Sequence, residues 1–329
     1  VKSLWPLLSL LALLLASGCA VASEALAPTA TARELAPTAT ARELAPTATA
    51  RELAPTATAA PTATVAPSAT PRPTRTPPQP TATRAPTKEV TWVLDWADEF
   101  DKPGLPDPAH WNYEEGLIRN NELQYYTRER LENARVEGGN LIIEGRKEAY
   151  EGSEYTSASL VTHGKHDWAY GRVEVRAKIP TGTGTWPAIW LLGSSIDEVG
   201  WPDCGEIDIM ENVGYNPDML FVNIHTKSYN HVLGTNKGAS LYLRRPYADF
   251  HVFALNWYPD RMDFFVDEKL IFTFYNEGTG KAAWPYDDPH YLILNFAIGG
   301  SWGGSSGVDE SIFPQQYLID YVRVYKAQE

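Results

Sequence analysis

The sequence predicts an all-β domain over residues 89–329, a sandwich of two antiparallel sheets of the jelly-roll kind. Three observations carry this. Apolar and polar residues alternate with period two in GRVEVRAKIP (171–180), HVFALNWY (251–258), RMDFFVDEKLIFTFY (261–275) and YLIDYVRVYK (317–326). No stretch beyond residue 89 holds the periodicity of a long helix. Turn signals such as Pro259-Asp260 and Gly278 separate the alternating runs. Strands joined this way pack as two sheets, and two curved sheets leave a concave face on which a groove can form.

What precedes residue 89 has a different character. VKSLWPLLSLLALLLASGCA offers a lysine, an apolar run from Leu4 to Leu15 and then small residues. That is the layout of a secretory signal peptide (residues 1–19), too short to span a bilayer. Ala16-Ser17-Gly18-Cys19 resembles a bacterial lipobox, in which Cys19 is lipidated; ordinary cleavage that discards Cys19 is the other reading. Either predicts export, to an extracellular or cell-surface location. Residues 20–88 are rich in Pro, Thr and Ala, with ELAPTATAR repeated from Glu34 through Ala59. Frequent prolines and the lack of an apolar stripe predict an extended, disordered linker with no core. The chain has 2 cysteines, so with Cys19 lipidated or removed Cys204 stands alone and no disulfide is expected. A net charge of −13 argues against nucleic acid as a partner and leaves the lipid anchor as the membrane contact. Nothing requires more than a monomer.

The chemistry concentrates in WPDCGEIDIMENVG (201–214). Glu206 and Asp208 are two residues apart, on one face of a strand, whereas Glu211 falls at i+5 and would turn to the other face. A β-bulge near Ile209–Met210 adds one residue and returns Glu211 to the shared face. Four regular steps of strand span about 13 Å, and two inward-leaning glutamates can close that to the roughly 5–5.5 Å separation of a retaining glycosidase. Like charges close together raise the pKa of one, so that one carboxylate attacks while the other donates a proton. The alternative, a solvated acidic strand face, has to tolerate three like charges with no interleaved Lys or Arg, while Ile207 and Ile209 imply a packed central strand.

Aromatic content agrees. The chain has 11 tryptophans, and Trp186, Trp190, Trp201 and Trp302 lie beside polar or glycine-rich segments. Each alone reads as core packing; as a set around the acidic strand they point to a saccharide cleft, because sugar C–H faces pack on aromatic rings. His225 lies two residues after Asn223 and would share its face. His163, His166, His231, His251 and His290 show no metal-ligand spacing, so no zinc site is predicted.

With these motifs in view, GEIDIMEN resembles the bulged active-site strand of glycoside hydrolase family 16, in its laminarinase-like members. The likeness extends over residues 92–326 through WADEF, NNELQYYT, SASLVTHGK, YGRVEVRAKIP, TWPAIWLLG, FVNIHT, LILNFAIGGSWGG and YLIDYVRVYK. It implies a concanavalin-like jelly roll and retaining hydrolysis of β-glycans, with Glu206 as nucleophile, Glu211 as general acid/base and Asp208 as assisting acid. Asn120, Trp186, Trp190, Trp201, His225 and Trp302 match sugar-subsite positions. No cofactor is implied for catalysis; a structural calcium ion is, at positions matching Glu99, Gly139 and Asp320. Two departures stand out. Leu117-Ile118-Arg119 replaces a Gly-Trp-Gly common in laminarinases, so Arg119 is expected to hydrogen-bond sugar hydroxyls. Glu268, in the turn Val266-Asp267-Glu268-Lys269, replaces a common glycine, which predicts something other than a tight two-residue turn.

The expected activity is that of an endo-1,3-β-glucanase acting on laminarin-like glucan, with mixed-linkage β-1,3-1,4-glucan as a secondary substrate. Within enzymes the rival substrate is a galactan such as agarose or carrageenan. Outside them the rival is a lectin on the same scaffold, for which intact glutamates at both positions would have no use.

Overall fold

The computed structural model describes residues 90–328. The expected signal peptide, Cys19 and the repeat linker lie outside the described residues. Seven strands form the sheet that carries the acidic segment, in the order Lys237–Tyr242, Met219–His225, Glu206–Asn212, Thr185–Gly193, His290–Ile298, Ser159–Val161 and Asn112–Glu114. A 10-stranded sheet faces it, with Gly171–Lys178 and Gln315–Ala327 at its centre. Pairing is antiparallel except between Gln124–Tyr126 and Ser153–Ser157, which run parallel. Among the described residues, helix is confined to Ile196–Val199 and a 3₁₀ turn at Glu310–Ile312. The two-sheet all-β sandwich is therefore the expected one.

Side-chain period explains which surfaces meet. Along Gly171–Lys178 burial alternates strictly: Val173, Val175 and Ala177 enter the core, while Arg172, Glu174 and Arg176 lie on the outer face. Thr185–Gly193 and His290–Ile298 are instead buried at every position. One face of each packs into the main core, through Ile189, Leu191, Leu292 and Leu294. The other face builds a separate apolar layer under the groove, including Ala188, Trp190, Leu192, Tyr291 and Ile293. Continuous apolar runs are what strands covered on both faces require.

The acidic strand is pinned where it begins. Gly205 adopts φ +84°, and a Cβ there would come 2.7 Å from Pro285. Gly193 on the neighbouring strand packs so closely that a Cβ would lie 2.0 Å from the Cys204 carbonyl oxygen. Cys204 itself is a buried free thiol.

One turn corrects the sequence reading. Val266 pairs directly with Lys269, so Asp267-Glu268 is a tight two-residue hairpin after all. Both residues take positive φ, 48° and 64°. Mirror-image turns match the right-handed strand twist, and that gain outweighs the cost of placing a non-glycine in the left-handed region. Asp267 offsets part of the cost: its Oδ1 accepts from the Val252 amide at 2.9 Å and its Oδ2 meets His251 Nδ1 at 2.6 Å. Glu268 has no such tie among the hydrogen bonds of the turn. Glu268→Gly is therefore expected to stabilise the domain by about 0.5–1 kcal/mol; chemical denaturation in which the midpoint falls would contradict this account of the turn.

Candidate active site

The acidic strand bulges where expected. Against Met219–His225, Asp208 pairs with Asn223 and Glu211 with Phe221, so Ile209 and Met210 together oppose one residue. Against Thr185–Gly193 the register likewise slips between Asp208 and Met210. Ile207, Ile209 and Met210 all enter the main core and are at most 1% exposed. Burying each such side chain contributes about 1.5–3 kcal/mol. Two consecutive residues facing inward turn Glu211 back to the groove side, beside Glu206 and Asp208.

Each carboxylate has its own partners. Glu206 Oε2 accepts from Trp201 Nε1 at 2.7 Å. Glu211 accepts from Trp186 Nε1 at 3.1 Å on one oxygen and from Asn223 Nδ2 at 3.2 Å on the other. Asn223 is held in turn by Asn236 Nδ2 at 3.1 Å. Asp208 lies between and shares a hydrogen bond with Glu206. Its Oδ2 sits 3.3 Å from His225 Nε2, which is 3.8 Å from Glu206 Oε1. The Tyr286 hydroxyl, fixed from the core side, donates toward the Glu206 and His225 carbonyls at 3.1 and 3.2 Å.

Burial raises the pKa of all three acids. Glu206 is pushed up to about 8, first by burial and then by Asp208. Glu211 is pushed up to about 7, first by burial and then by Glu206. Asp208 is raised well above the carboxylate range, by burial and then by Glu211. The indole donors of Trp201 and Trp186 and the Asn223 amide pull the two glutamates the other way, by stabilising their charged forms. Three buried acids in contact resist being ionised together. Asp208 is the most enclosed, its side chain 4% exposed against 18% for Glu206, and its hydrogen bond with Glu206 acts to raise the Glu206 pKa. Glu206, Asp208 and His225 put ligand-capable atoms within 4.8 Å of one another, and Asp208 Oδ2 and His225 Nδ1 are buried without a hydrogen-bond partner.

The expected sugar-site residues converge. Asn120, Arg119, Trp186, Trp190, Trp201, His225 and Trp302 all line one groove of about 930 Å³ together with the three acids. Trp302 stands edge-on to Trp186 at 5.5 Å and to Phe221 at 5.1 Å, forming a wall beside Glu211. Trp190 is in the floor but is 7% exposed, with its Nε1 donating to Asn295 Oδ1 at 2.8 Å. Several lining residues were not anticipated. His231 packs on Trp201 at 5.2 Å and, with Asn236, comes from the loop after Met219–His225, where no periodicity announces it. Asn295 and Glu122 carried a signal that was there to be read: a polar residue inside an otherwise apolar run, and an acid in NNELQYYT. Glu122 is buried and accepts from Gln124, Tyr126 and Asn120.

The residues expected to hold calcium lie on the opposite sheet. Asp320 is on Gln315–Ala327, and Gly139 is in the turn between Ala134–Glu137 and Asn140–Tyr150. Both Glu99 carboxylate oxygens are engaged by Arg323, at 2.8 and 2.9 Å, so Glu99 has only its carbonyl to offer. Asp320 Oδ2 accepts from Arg176 at 2.6 Å, leaving Oδ1 as the available carboxylate oxygen. One carboxylate oxygen with backbone carbonyls is a donor set that suits a hard cation.

The raised acids set a stability cost. Glu206 binds its proton up to about pH 8 when folded but releases it near the ordinary value of 4.5 when unfolded. The folded state then holds the extra proton, so stability from this group falls as pH rises through that window. Glu206→Gln is expected to raise Tm, and by more at pH 8 than at pH 5. An equal or smaller gain at pH 8 in a thermal melt would refute the assigned proton.

Comparison with known proteins gives a consistent result. The family model for glycosyl hydrolases family 16 matches residues 117–323. A β-glucanase of Rhodothermus marinus is 55% identical over 248 residues, which is 73% of this chain and 87% of that protein. The crystal structure of the laminarinase from Rhodothermus marinus superposes with a TM-score of 0.71 at 53% identity, covering 74% of this chain and all of that one. SCLam, a non-specific endo-β-1,3(4)-glucanase, superposes with a TM-score of 0.69 at 48% identity, over 73% of this chain and 94% of that one. The bulged acidic strand, the jelly-roll sandwich around it and these similarities agree: the chain belongs to glycosyl hydrolases family 16.

Proposed function

We propose that this chain is a retaining endo-1,3-β-glucanase that cleaves internal bonds of laminarin-like β-1,3-glucan, with mixed-linkage β-1,3-1,4-glucan as a second substrate. The observation that carries this is the bulge, which puts Glu206 and Glu211 on one face but in unlike surroundings. Glu206, next to Asp208 and Trp201, attacks the anomeric carbon; Glu211 protonates the departing glycosidic oxygen. Asp208, hydrogen-bonded to Glu206, holds it in position. In the second step Glu211, now a base, takes a proton from water, which displaces Glu206 and restores the original anomeric configuration. The chemistry draws on carboxylates alone. Endo action fits a groove that crosses the whole sheet, from Asn236 near one edge strand to Glu114 in the other. Trp186, Trp302 and Phe221 flank Glu211 and supply the wall for the leaving saccharide.

The remaining parts of the reading rest on other features. Export rests on the pattern of residues 1–19, lipid anchoring on Cys19, and the spacer role of residues 20–88 on their composition. The partner is the glucan itself, met by a monomer. A structural calcium ion would be held by Asp320 Oδ1 with the Glu99 and Gly139 carbonyls. If so, EDTA lowers Tm and added calcium restores it in the unmodified protein, while Asp320→Asn melts at one temperature under both conditions; a melt of the unmodified protein indifferent to EDTA would dispose of the ion.

The first test of function is reducing-end release from laminarin. Glu206→Ala should lower kcat by about 10³-fold or more while the protein remains folded and still binds the glucan. NMR of the nascent products should show the β-anomer first. No release from laminarin would send the protein to a galactan panel, and silence there with binding retained would make it a lectin. A second test concerns Glu211. Trp186→Phe removes a hydrogen bond that favours its charged form, so the alkaline limb of the kcat/KM profile should move to higher pH. An unmoved or acid-shifted limb would exclude Glu211 as the titrating acid.

A further inference from the structure

Trp190 is on the groove face, yet its ring is covered. The Arg119 guanidinium lies over it, 4.9 Å from Cζ to the ring centroid. Arg119 Nη2 donates to Glu114 Oε1, and Glu114 is itself fixed by the Ser159 hydroxyl, which donates to its other oxygen at 2.6 Å. The other terminal nitrogen, Nη1, is sealed from solvent and has no hydrogen-bond partner. Neither terminal nitrogen is therefore presented to a sugar, contrary to the role expected of Arg119 from sequence. Beyond this point lies a second recess of about 360 Å³, which shares Glu114, His163 and Tyr291 with the main groove and adds Tyr113 and Arg128. Glu114, the partner of Arg119, lines both.

We infer that Arg119 is a specificity-determining residue that occupies the Trp190 face in place of a glucosyl ring, closing a stacking subsite. The physical case is competition for one surface. An indole face accepts either a pyranose C–H face or a cation, and a guanidinium tethered by a carboxylate is already in place, at no cost of association. Glu114 also neutralises the guanidinium, so the site gains no attraction for an anionic substituent. The occupant excluded is a neutral β-linked glucosyl unit on the Asn120 side of the cleavage point. The inference rests on the glucanase reading and adds a limit on how many sugars the groove grips.

The test compares the full chain with Arg119→Gly and Glu114→Gln. Affinities for laminari-oligosaccharides of increasing length are measured by calorimetry with each change in a Glu206→Gln background, and bond-cleavage positions with Glu206 intact. Uncovering the indole should tighten binding of the longer oligosaccharides by about 3- to 10-fold, the range expected of one aromatic contact. The shortest oligosaccharides should bind as before, and preferred cleavage should shift by one bond. Glu114→Gln, which frees the guanidinium without removing it, should move both readouts the same way by less. Weaker binding of long oligosaccharides by Arg119→Gly would show that Arg119 grips the sugar, and an unchanged length profile would show that it does neither; both overturn the inference while leaving the glucanase reading intact. Failure of the unmodified protein to cleave laminarin would instead overturn that reading, and this inference with it.

Discussion

Everything at the site depends on one irregularity of hydrogen bonding, the extra residue at Ile209–Met210. A regular strand would carry Glu211 into the core, where an unpaired carboxylate has no partner, and Met210 into the groove. The bulge exchanges them: an apolar side chain goes where water is absent, and an acid goes where a substrate can reach it. The cost is a local break in the ladder on both sides of the strand. Core packing of Ile207, Ile209 and Met210 repays it. Catalytic geometry and core packing are thus one constraint.

The second organising force is the penalty for enclosing like charges. Three acids share a face with no neighbouring Lys or Arg among their contacts; their hydrogen bonds come from indole, amide and carboxyl groups, with His225 as the adjoining ring. Neutral donors stabilise a carboxylate without neutralising it, so proton occupancy stays sensitive to small differences in enclosure. Trp201 on Glu206 and Trp186 on Glu211 therefore act as electrostatic elements as well as walls for a sugar. The outer sheet shows the contrasting arrangement. There Glu99 meets Arg323, Asp320 meets Arg176 and Glu174 meets Arg172, each pair partly exposed and mutually cancelling.

Much of this was legible in the sequence, because the relevant signals are local. The offset of Glu211 relative to Glu206 and Asp208 is itself the record of the bulge, and alternation in segments such as GRVEVRAKIP reports directly which residues enter the core. What sequence could not supply were contacts set by tertiary packing. That Asp267-Glu268 forms a tight hairpin depends on His251 and the Val252 amide, sixteen and fifteen residues away. That Arg119 lies on Trp190 within the groove depends on Glu114 and Ser159 arriving from two other strands. His231 and Asn236 reach the groove on a loop whose course no periodicity describes. Asn295 sits in an apolar run whose second covered face became evident only with the floor of the groove in place.

The strands burdened on both faces have a consequence for how such a protein can change. Along Thr185–Gly193 and His290–Ile298 a side chain facing the glycan is also a supporting member of an apolar layer, and its neighbours belong to the main core. Inheritance of a new substrate preference through these positions would have to pass through weakened intermediates. The segment Leu117-Ile118-Arg119 carries no such debt: Leu117 and Ile118 are exposed, and Arg119 is anchored by a single acid. Substitution at the rim therefore leaves the packed layers in place, whereas substitution in the floor disturbs both of them.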